Sequence, residues 1–281
     1  MPNNLSEQIN STFAPKPMNS QLYIDLLKKS LTDTLRINRE VYFKKENLPS
    51  KIANFFLKPL GYGLCKTRFI KLTDEFLEGK NHAPEAETLI GIKRLECIES
   101  CVKNIVKNNI EGDLLEAGVW RGGATIFMRG LLDVLNDQNR KIFAADSYEG
   151  CPPPTKQEDM KDNYYKVKLL DVGLEIVKNN FSRYDLLDDR VVFLKGWFKD
   201  TLPNGPFNKL SLIRVDGDMY ESTMDALVNT YHKLSKGGYL LVDDYGGIEA
   251  ARKAVDDFRK QNNITDPIIK VDWTGIYWQK S

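Results

Sequence analysis

Four acidic residues fall at the ends of two apolar runs. Asp216 and Asp218 stand in Val215-Asp216-Gly217-Asp218-Met219-Tyr220-Glu221-Ser222-Thr223, and Asp243 and Asp244 in Val242-Asp243-Asp244-Tyr245-Gly246-Gly247. If the two runs are neighbouring parallel strands, four carboxylates crowd one sheet edge. Like charges so close are unfavourable unless a cation neutralises them or a proton is shared. An all-oxygen set suits Mg²⁺ or Ca²⁺, and no soft ligand beside it asks for zinc. Helix capping by Asp216 or Asp218 is the plainer alternative, but it accounts for one acid and not for four.

A second set lies upstream. Leu114-Leu115-Glu116-Ala117-Gly118-Val119-Trp120-Arg121-Gly122-Gly123 carries glycines that let backbone and ligand approach, ahead of a helix start with free N–H groups. The spacing is not GxGxxG. Trp120 stands where a dinucleotide pyrophosphate needs a glycine, and Glu116 adds negative charge, which suits the cationic aminoacyl end of S-adenosylmethionine better. The next apolar run ends in Asp146 and Ser147. An acid at this tip can accept hydrogen bonds from both ribose hydroxyls, though it lies further from Glu116 than the ~20 residues of the dinucleotide fingerprint. Trp197 and Phe198, after a third run, could stack on an adenine face or seal the core. Neither reading is favoured by the residues alone.

These residues need a scaffold that brings strand ends together. Short β-branched runs at 113–119, 141–146, 191–196, 210–216 and 239–244 alternate with helical stretches at 123–135, 169–184, 219–234 and 248–261. Such alternation predicts a parallel sheet with helices on both faces, whose ligands sit at the carboxyl ends of the strands. Two last runs, 268–271 and 276–279, flank Trp273-Thr274-Gly275 and predict a hairpin. The outline is that of the class I methyltransferase fold. Ahead of it the spacing predicts a loose tail to about residue 19, one amphipathic helix over 21–43 and another over 84–109. Between them, residues 44–71 are basic (Lys44, Lys45, Lys51, Lys58, Lys66, Arg68, Lys71) with Phe55, Phe56, Leu60, Tyr62 and Phe69 interleaved. This segment reads as a lid or anion-binding arm, or as a solvated basic stretch whose aromatics pack on the main domain; the second is the simpler expectation.

Composition narrows the function. The chain has 281 residues and a net charge of +1, which removes any global electrostatic case for nucleic-acid binding. With 42% hydrophobic and 28% charged residues it is an ordinary globular chain, with a core large enough to need no disulfide or structural metal. Cys65, Cys97, Cys101 and Cys151 form no CxxC, so free thiols are expected. No run approaches the roughly 18 apolar residues of a membrane span, and the opening MPNNLSEQINSTFAPKP lacks the regions of a signal peptide. The expected location is the cytoplasm. His232 reads as solvent-exposed, His82 as a pocket candidate, and Tyr220, Tyr245 and Arg252 as packing or pocket residues.

The ordered motifs carry a resemblance. Glu87-Thr88-Leu89-Ile90-Gly91, Arg94-Leu95, LLEAGVWRGGA, DSYEGCPPP, GWFKDTLP, RVDGDMYESTMDAL, GGYLLVDDYGG, ARKAVDDFR, ITDPI and WTGIYW together cover about residues 80–281. The chain resembles the macrocin O-methyltransferase family, S-adenosylmethionine- and Mg²⁺-dependent enzymes that methylate sugar hydroxyls on macrolide and aminocoumarin glycosides. It departs from the family pattern at Asn81-His82-Ala83-Pro84, where an aromatic is expected before the proline, and this leaves the acceptor open. The resemblance implies a mostly parallel seven-stranded Rossmann-like α/β sheet with a C-terminal antiparallel hairpin over 81–281, and an N-terminal helical extension or lid over 1–80. It also implies a homodimer acting on a glycoside or saccharide. By resemblance, Asp216, Asp243 and Asp244 are the metal ligands and Asp218 the general base. Thr88, Leu89, Glu116, Ala117, Gly118, Val119, Trp120, Asp146, Ser147, Trp197 and Phe198 form the cofactor site. A catechol-type O-methyltransferase and a non-catalytic methyltransferase-fold scaffold are the alternatives. A nicotinamide oxidoreductase fits poorly, for want of the glycine turn and of a Tyr-x-x-x-Lys pair.

Overall fold

The computed structural model describes residues 20–36, 39–44 and 47–281; the tail expected over 1–19 lies outside them. Five strands run parallel: β3 (Asp113–Ala117), β4 (Ile142–Asp146), β5 (Val191–Lys195), β6 (Leu210–Val215) and β7 (Leu234–Val242), with β8 (Ile269–Lys270) and β9 (Ile276–Gln279) closing the sheet. The order is β5-β4-β3-β6-β7-β9-β8, and β9 runs antiparallel to both β7 and β8. The strand alternation and terminal hairpin read from the sequence agree with this order. Between β3 and β6 the direction of winding reverses, and the crevice opens there.

The strands are continuous apolar runs because both sheet faces are covered. Leu114, Ile142 and Leu212 enter one core, and their neighbours Leu115, Phe143 and Ile213 enter the other. The first core takes α1 (Ser20–Leu31), α4 (Ile92–Lys107), α5 (Gly123–Val134) and α6 (Leu174–Arg183) through Leu27, Val102, Phe127 and Phe181. The second takes α8 (Tyr220–Thr230) and α9 (Glu249–Gln261) through Leu227 and Phe258. Truncating a core phenylalanine such as Phe127 to alanine is expected to cost about 3–5 kcal/mol.

Ahead of the sheet the chain departs from the sequence reading. The helix expected over 21–43 stops at Leu31: the Thr32 hydroxyl donates back to the Lys28 carbonyl at 2.8 Å, and Asp33 turns left-handed at φ 53°. The chain then enters β1 (Arg39–Lys44), which pairs antiparallel with β2 (Cys65–Ile70) in a separate two-stranded sheet. Between them lies α2 (Leu48–Leu57), capped by the Asn47 side chain, which accepts the Ser50 N–H at 3.1 Å. The extension is therefore part strand. Four of the apolar side chains expected to pack on the main domain, Phe55, Phe56, Leu60 and Tyr62, are instead exposed, and the side chain of Phe69 lies outside the described ones. A short α3 (Asp74–Leu77) follows. The second helix begins at Ile92 rather than Pro84, because Gly91 must lie against the α3 turn: a Cβ there would meet the Leu77 carbonyl and the Gly79 nitrogen at 2.3 Å.

Candidate active site

A cleft of about 640 Å³ lies over the carboxyl ends of β3, β4, β6 and β7. One wall is backbone and aromatic. Gly118 takes φ 97° where β3 ends, and a Cβ on it would stand 1.9 Å from the Asp216 carbonyl, so only glycine lets the β3 and β6 tips meet. Asp146, at the end of β4, accepts the N–H groups of Val119 (2.7 Å), Trp120 (3.3 Å) and Tyr148 (2.7 Å). Burial raises its pKa, and those three donors oppose the shift. Leu89, Gly118, Trp120, Asp146, Ser147, Trp197 and Phe198 line the cleft. The other expected cofactor residues are not in the lining. Thr88, Ala117 and Val119 are buried behind it, and the Thr88 hydroxyl accepts the Ile90 N–H. The Glu116 carboxylate points away from the cleft into a buried network, bonded to Arg214 and to the Thr125 hydroxyl.

The facing wall is acidic. Asp216, Asp218 and Asp244 bring one carboxylate oxygen each within 4.8 Å of one another. Asp218 is presented by a left-handed turn at φ 54°, a conformation aspartate tolerates better than most residues. Burial, and then the Asp216 charge, push Asp218 up to about 7; burial, and then Asp243, push Asp216 up to about 6. Asp244 is raised well above the carboxylate range, by burial and then by Asp216 and Asp218. Asp243, the fourth acid of the motif, lines the cleft too, but its oxygens are engaged: Oδ2 by Arg94, and Oδ1 by Arg214 at 2.6 Å. Arg214 also reaches Asp216 at 2.8 Å. The trio that converges on the cleft is thus Asp216, Asp218 and Asp244, of which Asp216 shares Arg214 with Asp243.

The residues between the walls escaped the sequence reading. Cys151 lines the cleft with its Sγ 3.6 Å from Asp218 Oδ2, and Tyr164, Pro152 and Trp273 line it as well. The loop carrying Cys151 and Tyr164 is tied down at three places. The Asp159 carboxylate accepts the N–H groups of Tyr220 (2.6 Å) and Glu221 (3.0 Å), capping α8; Thr155 donates to Glu221; and Trp120 Nε1 donates to the Leu169 carbonyl at 2.7 Å. An aspartate and a tryptophan far apart in sequence give no local sign of such ties. Arg214 did leave one, a charge inside an otherwise apolar strand. His82 is exposed and outside the cleft lining, with its pKa lowered by partial desolvation and by the Arg121 charge. His232 is exposed. The Tyr220 and Tyr245 hydroxyls turn to Asp257 and Asp256 on α9, and neither these tyrosines nor Arg252 line the cleft.

Comparison with known proteins places this geometry. The profile of the family described as Macrocin-O-methyltransferase (TylF) matches residues 20–280. Demethyldecarbamoylnovobiocin O-methyltransferase of Streptomyces niveus is 46% identical over 208 residues, 73% of this chain and 79% of its own. A tetracenomycin-C derivative 4'-O-methyltransferase of Streptomyces olivaceus, whose named substrate carries a dimethoxy-rhamnosyl group, is 40% identical over 263 residues, 92% of each chain. The solved structure of the O-methyltransferase NovP superposes with a TM-score of 0.81 at 40% identity, covering 94% of this chain and 100% of that one.

Proposed function

The chain belongs to the macrocin O-methyltransferase family, with the class I fold and the O-methyltransferase activity that go with it, and from that premise we propose that it methylates a hydroxyl of a sugar on a glycosylated natural product. S-adenosylmethionine is the methyl donor in this reading, and a hard divalent cation assists. The relatives' named substrates support a glycoside acceptor. The observation that carries the metal and base assignment is the Asp216–Asp218–Asp244 trio, three oxygens within 4.8 Å facing the cleft. That span suits an all-oxygen divalent site, in which metal–oxygen distances run about 2.0–2.6 Å.

Asp216 and Asp244 hold the cation in this reading. Asp243, the third acid of the expected set, reaches it only through lone pairs that its arginine partners leave free. A bound cation would lower the pKa of an acceptor hydroxyl and fix its place. Asp218 takes the hydroxyl proton as general base. Cys151, bonded to its Oδ2, keeps the carboxylate turned into the cleft. Bound S-adenosylmethionine supplies an electrophilic methyl group whose leaving thioether is neutral. Gly118 gives its backbone room, Asp146 offers its remaining lone pairs to the ribose hydroxyls, and Trp197 and Phe198 face the adenine. Pre-positioning of this kind accounts for much of the rate in bimolecular transfers.

The test is calorimetric titration with S-adenosylhomocysteine, with NAD as comparator, in Mg²⁺ and in EDTA, followed by methyl transfer to a glycoside panel. Micromolar binding of S-adenosylhomocysteine and none of NAD is expected, with methyl transfer lost in EDTA. Silence from S-adenosylhomocysteine in both buffers would overturn the cofactor. The reading includes a cytoplasmic homodimer, supported by the exposed Phe55, Phe56, Leu60 and Tyr62 around α2, an apolar face of the kind interfaces use. Among the described residues no helix is long and apolar enough to cross a membrane. Sedimentation at a single-chain mass would remove the dimer.

A further inference from the structure

Beside the carboxylate trio, and reaching the cleft at Arg94, lies a socket that the proposed chemistry does not use. Arg94, at the start of α4, is 7% exposed. Its Nε donates to Asp272 Oδ2 at 2.7 Å, and its Nη1 donates to Asp243 Oδ2. The Asp272 side chain is wholly enclosed. Its other oxygen accepts the N–H groups of Thr274 (3.0 Å) and Gly275 (2.8 Å). A Cβ on Gly275 would stand 3.0 Å from Arg94 Cδ, so glycine here opens the slot through which the arginine stem runs. The guanidinium is therefore held from one side by a fixed carboxylate and aimed at Asp243 on the other.

We propose that Arg94 is a positioning residue that competes with the divalent cation for Asp243 and so sets the affinity of the carboxylate trio for metal. This rests on the metal-dependent reading above. A cation at Asp216 and Asp244 gains Asp243 as a ligand only by sharing or displacing its arginine partners, and buried charge-assisted pairs of this kind are strong. The two arginines are not equivalent. Arg214 is locked by Glu116, Asp216 and Asp243 together. Arg94 keeps Asp272 as a partner when it releases Asp243, so its release leaves no buried charge unpaired. Removing the Arg94 charge frees one anionic ligand and takes a cation away from a cation site, and both effects favour metal.

The experiment reads Mn²⁺ binding to the purified full chain from the free-ion paramagnetic resonance signal, without cofactor or acceptor. Arg94→Gln is expected to tighten Mn²⁺ binding about tenfold, and adding Asp243→Asn to that variant is expected to erase the gain. A merely structural role for Arg94 would lower the melting temperature and weaken binding. Equal or weaker binding by folded Arg94→Gln overturns the proposal. If that variant does not fold, Asp243→Asn in the wild-type background decides. It should weaken Mn²⁺ binding at most about threefold, against about a hundredfold or more for Asp244→Asn, which removes a trio carboxylate that neither arginine holds; equal losses overturn the proposal. Failure of wild type and Arg94→Gln alike to bind Mn²⁺ would overturn the metal reading itself, and the role of Arg94 with it, whereas binding that Arg94→Gln leaves unchanged would overturn only Arg94.

Discussion

Asp146 and Asp244 stand at strand tips on opposite walls of one cleft, yet they meet different surroundings. Asp146 receives three backbone N–H groups, two of them at 2.7 Å. Asp244 receives the Asp218 N–H at 3.2 Å and faces two further acids. On the first wall, peptide N–H groups partly offset the burial of the carboxylate, which in the proposed reading meets neutral hydroxyls. The second is built at an electrostatic deficit, which Arg94 and Arg214 offset from behind and which a cation would remove from the front. In the proposed reading, the chain would separate a recognition surface held by its own backbone donors from a reactive one that calls for a cation.

The largest effect should fall on the acidic wall. Asp244→Asn is expected to abolish Mn²⁺ binding and methyl transfer while leaving S-adenosylhomocysteine affinity within about threefold, since the walls share no ligand; a matching loss of S-adenosylhomocysteine binding would erase the distinction. Next, Asp218→Asn should lower turnover by about 10²–10⁴, the usual worth of a general base, with Mn²⁺ and S-adenosylhomocysteine binding near normal. Near-normal turnover would remove Asp218 from that role. On the other wall, Asp146→Ala should weaken S-adenosylhomocysteine and cost about 1–3 kcal/mol of stability, because three backbone donors lose their acceptor. Calorimetry and thermal melts would read both, and Mn²⁺ binding should not move. A smaller change is expected of Asp159→Ala: loss of the α8 cap costs about 1 kcal/mol and raises KM for the acceptor, with cofactor affinity unchanged. Least of all, Cys151→Ser keeps a donor beside Asp218 and should alter turnover only a few-fold.

The recognition wall was the more legible of the two in sequence. Gly118, Asp146 and the Trp197–Phe198 pair sit where strand ends and turn chemistry put them, and the short apolar runs at 113–117 and 142–146 were legible from their length and their alternation with helical stretches. The acidic wall was legible as composition but not as wiring. That Asp243 would face Arg94 depends on a partner 149 positions away, and that Arg94 would be fixed by Asp272 on one 178 away. Neither follows from spacing. The placing of Glu116 was illegible for the same reason: its neighbours in sequence point to the ligand turn, and its neighbour across the sheet, Arg214, turns the carboxylate inward. Ahead of the sheet, one helix was expected over 21–43 because apolar spacing continues past Leu31, and a threonine hydroxyl with a left-handed aspartate outweighs it.

The order β7-β9-β8 has a bearing on how the chain is made. β9 is synthesised after every strand it joins, yet it lies between two of them rather than at the rim. Until it arrives, β7 presents an open edge, and Asp272, just upstream of β9, has not yet met Arg94. The arrival of β9 therefore closes the β7 edge and brings Asp272 to Arg94. On the proposed competition, the hairpin lowers rather than creates the hold of the acidic wall on a cation, because it is the hairpin that brings Asp272 to Arg94.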